Sequence, residues 1–356
     1  MKKTHTENTI LSFFFWVSII YFLFATGMNF ALRRDSLFVS VRVLENAGGV
    51  LDVFFAAAPL SATLILVAYL TSPETNSFIR RIAYGSAGIA LACVFLTAFS
   101  SIKGTLPILS ESLGFRPFFA DPFLASLDRS LHGGRDPWEL THEFIAWLGT
   151  PSWVGLFPYI YGLWWAIPAF YLPSVMFLLG DGGNRIWRFL LLYLFTWCLL
   201  GNVLAFLGLS AGPVYFDRVT GDAMFEDLEA ALRNTEVVHA WFGKSQDWLW
   251  QSYSEDLQSV GSGISAFPSL HVAAATVTTL YMIEKSPWLA PPGLGLLIAM
   301  QFISVWSGYH YAIDGYFSIA AVVVMYFLLR GAWLRKLVAR GENDAPSRLT
   351  ARTSAE

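Results

Sequence analysis

The sequence predicts an all-α, polytopic membrane helix bundle of about eight transmembrane helices. Hydrophobic residue types make up 55% of the 356 residues, and Asp, Glu, Lys and Arg together only 14%, whereas soluble domains average about 25% charged residues. A membrane-spanning helix needs roughly 20 predominantly apolar residues. The stretches that meet this length are residues 9–31, 48–72, 82–102, 152–180, 186–209, 264–283, 289–307 and 311–330.

The composition also excludes other classes of protein. Aromatic residues reach 16%. A disordered chain has few aromatic residues and a high net charge, so this composition excludes a disordered protein. The formal net charge of −3 leaves no basic surface for nucleic acid. Cys93 and Cys198 both lie in apolar stretches, so they are expected to be small buried hydrophobes rather than a disulfide framework.

The predicted spans divide the chain into three parts. Residues 1–81 hold two N-terminal transmembrane helices. Residues 82–335 form a six-helix core that includes the external segments 103–151 and 210–263. Residues 336–356 are a polar cytoplasmic tail.

The topology follows from the span count and the positive charges. Residues 289–330 would make one helix of about 63 Å, twice the membrane core, so the chain must reverse near Ser307 and Gly308. Eight spans place both termini on one side. Cytoplasmic termini put 13 of the 23 Lys and Arg residues on the cytoplasmic side, in the shorter share of the loops, as the positive-inside rule favours.

Each external segment shows helical signals. Asp121-Pro122 and Asp136-Pro137 predict two helix N-caps, and Glu139 completes a capping box for the second, so short interfacial helices are expected. The segment 210–263 holds nine acidic and three basic residues, a net charge of 3 − 9 = −6. Its apolar stripe favours a cap packed on the bundle; a lid over a site in the membrane is the alternative. The stripe consists of Phe225, Leu228 and Leu232.

Three ionisable side chains are expected at one membrane level. His271 lies where span 6 enters the membrane, and His310 and Asp314 lie where span 7 turns into span 8. Ionisable groups at such positions are costly and usually functional. Polar contacts between helices or a zinc site would explain them, but nucleophilic catalysis by an imidazole is favoured, with a carboxylate and a second histidine assisting.

At these residues the sequence resembles a known family. The pattern Pro268-Ser269-x-His271, followed by His310-x-x-x-Asp314, is similar to the type 2 phosphatidic acid phosphatase superfamily, and most of all to its inositol phosphorylceramide synthase-like (inositolphosphotransferase) branch. The resemblance implies that His310 is a nucleophile forming a phosphohistidine, Asp314 orients it, and His271 is the general acid. It also implies an active site on the extracytoplasmic face, with no metal and no cofactor.

The departures from the superfamily pattern concern the phosphate. Three cations of the phosphatase motifs are missing: the only Arg-Pro pair is Arg116-Pro117, whose preceding lysine, Lys103, lies 13 positions before it, and Ile303-Ser304 occupies the Ser-Arg position. A phosphomonoester carries nearly two charges and needs more compensation than a diester. The missing cations therefore favour a phosphodiester donor such as an intact phospholipid. The substrate-binding candidates that remain are Ser269, Tyr215 and Arg218.

These observations predict a membrane lipid phosphotransferase. It would move a phosphoryl headgroup, such as inositol phosphate, from a phospholipid donor to a lipid hydroxyl such as that of ceramide. One alternative is a lipid phosphatase that uses water as the acceptor. A transporter or non-catalytic membrane protein is the third hypothesis. The expected location is the plasma (bacterial inner) membrane, and the expected partners are lipids of the bilayer.

Overall fold

The computed structural model describes residues 2–33, 48, 58–233, 239–255 and 263–331, which are 83% helix and contain no strand. The predicted fold class is therefore confirmed. The helices are α1 (Lys2–Arg33), α2 (Ala58–Leu70), α3 (Thr75–Ser112), α4 (Asp121–Leu131), α5 (Pro137–Trp147), α6 (Ser152–Leu178), α7 (Gly183–Leu207), α8 (Pro213–Thr220), α9 (Glu226–Arg233), α10 (Lys244–Ser254), α11 (Leu270–Lys285), α12 (Ala290–Trp306) and α13 (Ala312–Arg330).

Six of these helices are long and apolar enough to cross a membrane: α1, α3, α6, α7, α12 with its preceding turn, and α13. The predicted span 48–72 contains the 13-residue α2, and residues 49–57 lie outside the described residues. The predicted span 264–283 overlaps α11, which begins after its N-cap Ser269, ends at Lys285 and has 16 residues. The tail 336–356 also lies outside the described residues.

Helix α3 continues past its predicted end at residue 102 to Ser112. It contains Pro107, which a membrane helix tolerates when neighbouring groups satisfy the freed backbone. With 38 residues it is about 57 Å long. As a consequence Lys103 belongs to a helix of the bundle, although the sequence assigns it to an external segment.

The helices pack around α11. This helix contacts α6, α7, α12 and α13, while α1 packs against α3 on one side of the bundle. One apolar cluster, with Phe95, Phe189 and Leu270, fills the bundle. A second cluster, with Phe242 and Tyr311, joins α4, α5 and α9 to the ends of α6 and α12. Trp165, on which His271 stacks, packs against both clusters.

The two short helices α4 and α5 are present as predicted, but their acidic residues have other partners. Asp136 is the N-cap of α5 and Pro137 follows it, yet the Asp136 carboxylate pairs with Arg129. Glu139 pairs with Arg135, so the predicted capping box is wrong. Asp121 is the first residue of α4 rather than its N-cap, because its carboxylate binds backbone amides elsewhere.

Candidate active site

A cavity of about 300 Å³ opens between α3, α6, α10 and the N-terminus of α11. Both histidines of the predicted triad line it. Its polar lining comprises Ser100, Lys103, Ser245, Ser265, His271 and His310, and its aromatic lining Phe99, Tyr161, Trp165, Trp197, Tyr215, Trp241, Trp248 and Tyr309.

Hydrogen bonds between loops build the cavity floor. The amide of Ala266 donates to the carbonyl of Ser210 at 2.8 Å, and the amide of Val214 donates to the carbonyl of Gly308 at 2.9 Å. Gly308 has φ of +73°, which favours glycine, and the chain reverses there as the sequence predicts. The loops before α8, α11 and α13 therefore form one connected unit.

His310 and Asp314 contact each other at the start of α13. The Nδ1 atom of His310 lies 3.3 Å from Oδ2 of Asp314, and both side chains are buried. The same Oδ2 accepts the amide of Tyr311 at 3.0 Å. The carboxylate thus fixes one ring nitrogen of His310 and leaves the other, Nε2, for a different partner.

His271 lies in the first turn of α11 beside His310, with 6.1 Å between the ring centroids. Its ring stacks on Tyr161 at 4.0 Å and on Trp165 at 4.5 Å, both from α6. Two aromatic neighbours hold the plane of the imidazole. The structure thus brings together all three residues of the predicted triad.

The surroundings keep His310 neutral. Burial and, to a smaller extent, the ammonium of Lys103 lower the pKa of His310 to about 3, although a hydrogen bond with the backbone of Ala266 partly opposes the shift. A neutral imidazole is the nucleophilic form of histidine. His310 is therefore uncharged at neutral pH.

Lys103 is the site residue that sequence reasoning missed. It lines the cavity from α3, close enough to His310 to lower its pKa. Among the described residues no carboxylate pairs with the ammonium group. Lys103 lies too far before Arg116-Pro117 to match the lysine of the phosphatase motif. The available signal was that Lys103 is the one charged residue between Arg81 and Glu111 of α3, where charged residues tend to be functional.

The three predicted substrate-binding residues have different surroundings. Tyr215 lines the cavity, and its hydroxyl donates to the carbonyl of Gln246 at 2.9 Å. Ser269 is fully buried as the N-cap of α11, where its Oγ accepts the amide of Val272 at 3.5 Å.

Arg218 is not among the residues that line the cavity. Its guanidinium is 3.5 Å from Asp247 and lies over the ring of Trp250. Its role as a phosphate ligand stays a prediction.

The external segment 210–263 forms one wall of the cavity. Ser245 and Trp248 of α10 line it, and the hydroxyls of Ser245 and Tyr309 are hydrogen-bonded. The predicted apolar stripe of the segment is buried against the bundle. Within the described part of the chain, no group of three His, Cys, Asp or Glu side chains is arranged to hold a metal ion.

Fold and cavity together define a helical membrane protein with two histidines in one cavity at one end of the bundle. The profile of the PAP2 superfamily matches residues 122–329, more than half of the chain, and the chain belongs to this superfamily. No curated protein and no solved structure matches it. Superfamily members are phosphatases and phosphotransferases, which together with the membrane helices supports an enzyme of the membrane lipid phosphatase or phosphotransferase type.

Proposed function

We propose that this enzyme transfers a phosphoryl headgroup from a phospholipid to a lipid hydroxyl through a phosphohistidine on His310. The observation that carries the proposal is the pairing of two imidazoles on one cavity, one of them backed by the buried carboxylate of Asp314. This arrangement provides a nucleophile, a group that orients it, and a second proton-transfer group.

The reaction has two halves. Nε2 of His310 attacks phosphorus, the bond from phosphorus to the diacylglycerol oxygen breaks, and His271 gives that oxygen a proton. The headgroup phosphoryl then rests on His310. His271 next removes the proton of the acceptor hydroxyl, whose oxygen attacks phosphorus and breaks the nitrogen–phosphorus bond.

The charge of the cavity supports a diester donor. Lys103 is the cation that lines it in the described part of the chain, and no carboxylate lines it there. One ammonium group balances the single negative charge of a phosphodiester, whereas a phosphomonoester carries nearly two near neutral pH. We therefore propose that Lys103 contacts the phosphate, with Tyr215 and the cavity serines beside the headgroup.

The resemblance to inositolphosphotransferases supports an inositol-phosphate-like headgroup and a ceramide-like acceptor. Hydroxyl groups and aromatic rings line the cavity, and both suit a neutral polyol that hydrogen-bonds at its edge and packs by its face. The distribution of Lys and Arg supports an extracytoplasmic site with both termini in the cytoplasm. We place the enzyme in the plasma (bacterial inner) membrane.

A headgroup-labelled phospholipid tests the proposal. Purified protein in lipid nanodiscs is given phosphatidylinositol carrying label in the headgroup phosphate, with and without ceramide. We expect the label to move into a new lipid only when ceramide is present, and the His310→Ala variant to leave the donor intact.

Other outcomes would contradict the proposal. Label released as a water-soluble phosphate at the same rate without ceramide would show a phosphatase. The assay is then repeated with other phosphodiester lipids as donors. If every donor stays unchanged, the remaining hypothesis is a transporter or binding protein.

A further inference from the structure

Helix α4 places a buried carboxylate against the helix that carries Asp314. Asp128 is 2% exposed. Its Oδ2 accepts the amide of Ala312 at 2.8 Å, and its Oδ1 accepts the amide of Ile313 at 3.0 Å. These are the first two amides of α13. Asp128 therefore binds the N-terminus of α13 from outside the helix.

The first amides of a helix have no partner within the helix and must be satisfied by other groups. Here Asp314 binds only the amide of Tyr311, while the next two amides are bound by Asp128. Asp314 uses Oδ2 for that amide and for His310. Its Oδ1 has no hydrogen-bond partner among the described residues.

We infer that Asp128 is a positioning residue that keeps Asp314 on His310 by occupying the helix amides that would otherwise compete for the Asp314 carboxylate. A buried amide without a partner costs free energy comparable to a lost hydrogen bond. Asp314 is the acidic residue in the first turn of α13. When Asp128 cannot accept these amides, the Asp314 carboxylate turns toward them and away from the imidazole.

A second carboxylate of α4, that of Asp121, also binds groups near the start of α13. Asp121, seven residues before Asp128 and therefore on nearly the same face of α4, accepts the hydroxyl of Tyr311 at 2.8 Å and the amide of Gly212 at 3.0 Å. The C-terminal end of the loop that carries His310, and the neighbouring loop that contains Gly212, are thus both tied to α4. Asp128 acts on the Asp314 side of that loop.

The kinetic test rests on the proposed function and uses the full-length protein. The Asp128→Asn variant offers one acceptor oxygen instead of two, and its amide nitrogen faces a donor. We expect kcat to fall about tenfold with KM within about twofold, since an orienting interaction is lost while substrate binding is kept. In the Asp314→Asn background the same change should lower kcat by less than about twofold, because residues acting as one unit are not additive.

A matched control separates positioning from general stability. Asp217 also accepts one backbone amide, that of Phe225 at 3.0 Å, in a loop without triad residues. Asp217→Asn should leave kcat and KM within about twofold of wild type. Equal losses in Asp128→Asn and Asp217→Asn, or fully multiplicative losses with Asp314→Asn, would overturn the inference.

A spectroscopic measurement needs no substrate and therefore separates this inference from the proposed function. With ring nitrogens labelled with ¹⁵N, we expect wild-type His310 to hold its proton on Nδ1, and Asp128→Asn to move it toward Nε2. An unchanged tautomer in a folded Asp128→Asn protein contradicts the inference even if transfer activity is found. If that variant does not fold, Asp128→Ser, which keeps one acceptor oxygen and adds no amide donor, is measured with the same expectations.

Discussion

At the scale of the residue, the neutral state of His310 has a measurable consequence. Its pKa is lowered to about 3 by burial, against about 6.5 for an ordinary histidine. The ¹⁵N shifts of its ring should therefore stay constant between pH 5 and pH 8. A titration with a midpoint near pH 6.5 would contradict this.

The same shift has a defined sign for stability. Between pH 6.5 and pH 3 the unfolded chain binds a proton at this histidine that the folded protein does not bind, so the contribution of His310 is present above pH 6.5 and is lost as the pH falls. Thermal unfolding in detergent should show a weaker dependence on acid pH for His310→Gln than for wild type.

Lys103 and Arg218 are the two candidate cations for binding the phosphate, and substituting each one distinguishes them. Lys103→Met removes the ammonium that lines the cavity and should lower kcat/KM about 100-fold, since contacts of an ionised group with phosphate are strong. Arg218→Met should have the smaller effect, because Arg218 pairs with Asp247 outside the cavity lining. Lys244→Met, an exposed lysine of the same external segment, is the control. An equal or larger loss for Arg218→Met would refute the assignment to Lys103.

The sequence predicted the meeting of His271, His310 and Asp314 because each lies at a helix end and consecutive spans alternate direction. It did not predict Lys103, since its proximity to the histidines depends on the length and packing of α3. Nor did it predict the aromatic contacts of His271, which come from a helix more than a hundred residues earlier. Spacing along the sequence determines which side chains are neighbours on one helix, whereas contacts between distant helices depend on the packing of the whole bundle.

At the scale of the element, the loop before α8 must approach the loop that carries His310. Gly212 has φ of +93°, and a Cβ there would overlap the carbonyl oxygen of Tyr309. Gly221 also has a positive φ, +78°, but nothing lies within 4 Å of its Cβ position. Gly221 has ψ of 8° and is left-handed helical, whereas Gly212 has ψ of 167°, a region that essentially only glycine adopts. Gly212 is therefore the more constrained of the two, by its backbone conformation and by its close contact.

Substituting each glycine by alanine compares these two levels of constraint. Gly221→Ala should lower the free energy of unfolding by about 1–2 kcal/mol, the penalty of the left-handed conformation. Gly212→Ala should lower it further and reduce transfer activity, because the His310 loop must move. Equal destabilisation of the two variants, measured by thermal unfolding with an activity assay, would show that Gly212 is no more constrained than Gly221.

The short helices α4 and α5 show which features the helix-capping rules predict and which they do not. Asp-Pro pairs predicted the starts of α4 and α5 to within a residue. The rules assigned Asp121 and Asp136 to capping, but Asp121 binds amides of the loop at 211–212 and Asp136 binds Arg129. A carboxylate near a helix start takes the strongest donors within reach, and those donors become visible only in the folded chain.

At the scale of the whole molecule, two ends of the bundle differ in their charges. The end opposite the cavity carries a paired cluster in which Arg185 and Arg188 bind Glu284, and Lys285 binds Asp181. This cluster suits the cytoplasmic headgroup region under the proposed topology. The cavity end carries Lys103 with no carboxylate partner in the described residues.

Cysteine labelling tests that topology. A membrane-impermeant maleimide applied to intact cells should label Ser130→Cys, which is exposed at the cavity end, and should spare Asn184→Cys, exposed at the opposite end. Permeabilised cells should show labelling of both. The reverse pattern in intact cells would place the cavity in the cytoplasm and contradict the proposed orientation.

The class of fold was predictable from the sequence because the length and composition of a membrane helix are set by the bilayer. The six long apolar helices follow that rule. Helix α11 is shorter and packs against α6, α7, α12 and α13, so its partners are protein rather than lipid over much of its surface. Such a helix is defined by its caps and contacts, which the hydropathy of residues 264–283 did not reveal.

The most direct test of the central claim is to look for the covalent intermediate. Purified wild-type protein is mixed with phosphatidylinositol labelled in its phosphate, quenched within one turnover under alkaline conditions, and mapped by peptide mass spectrometry. The account predicts acid-labile label on His310, formed before any labelled product and absent from His310→Ala. Labelled product that appears while the protein carries no label, or label on a residue other than His310, would contradict it.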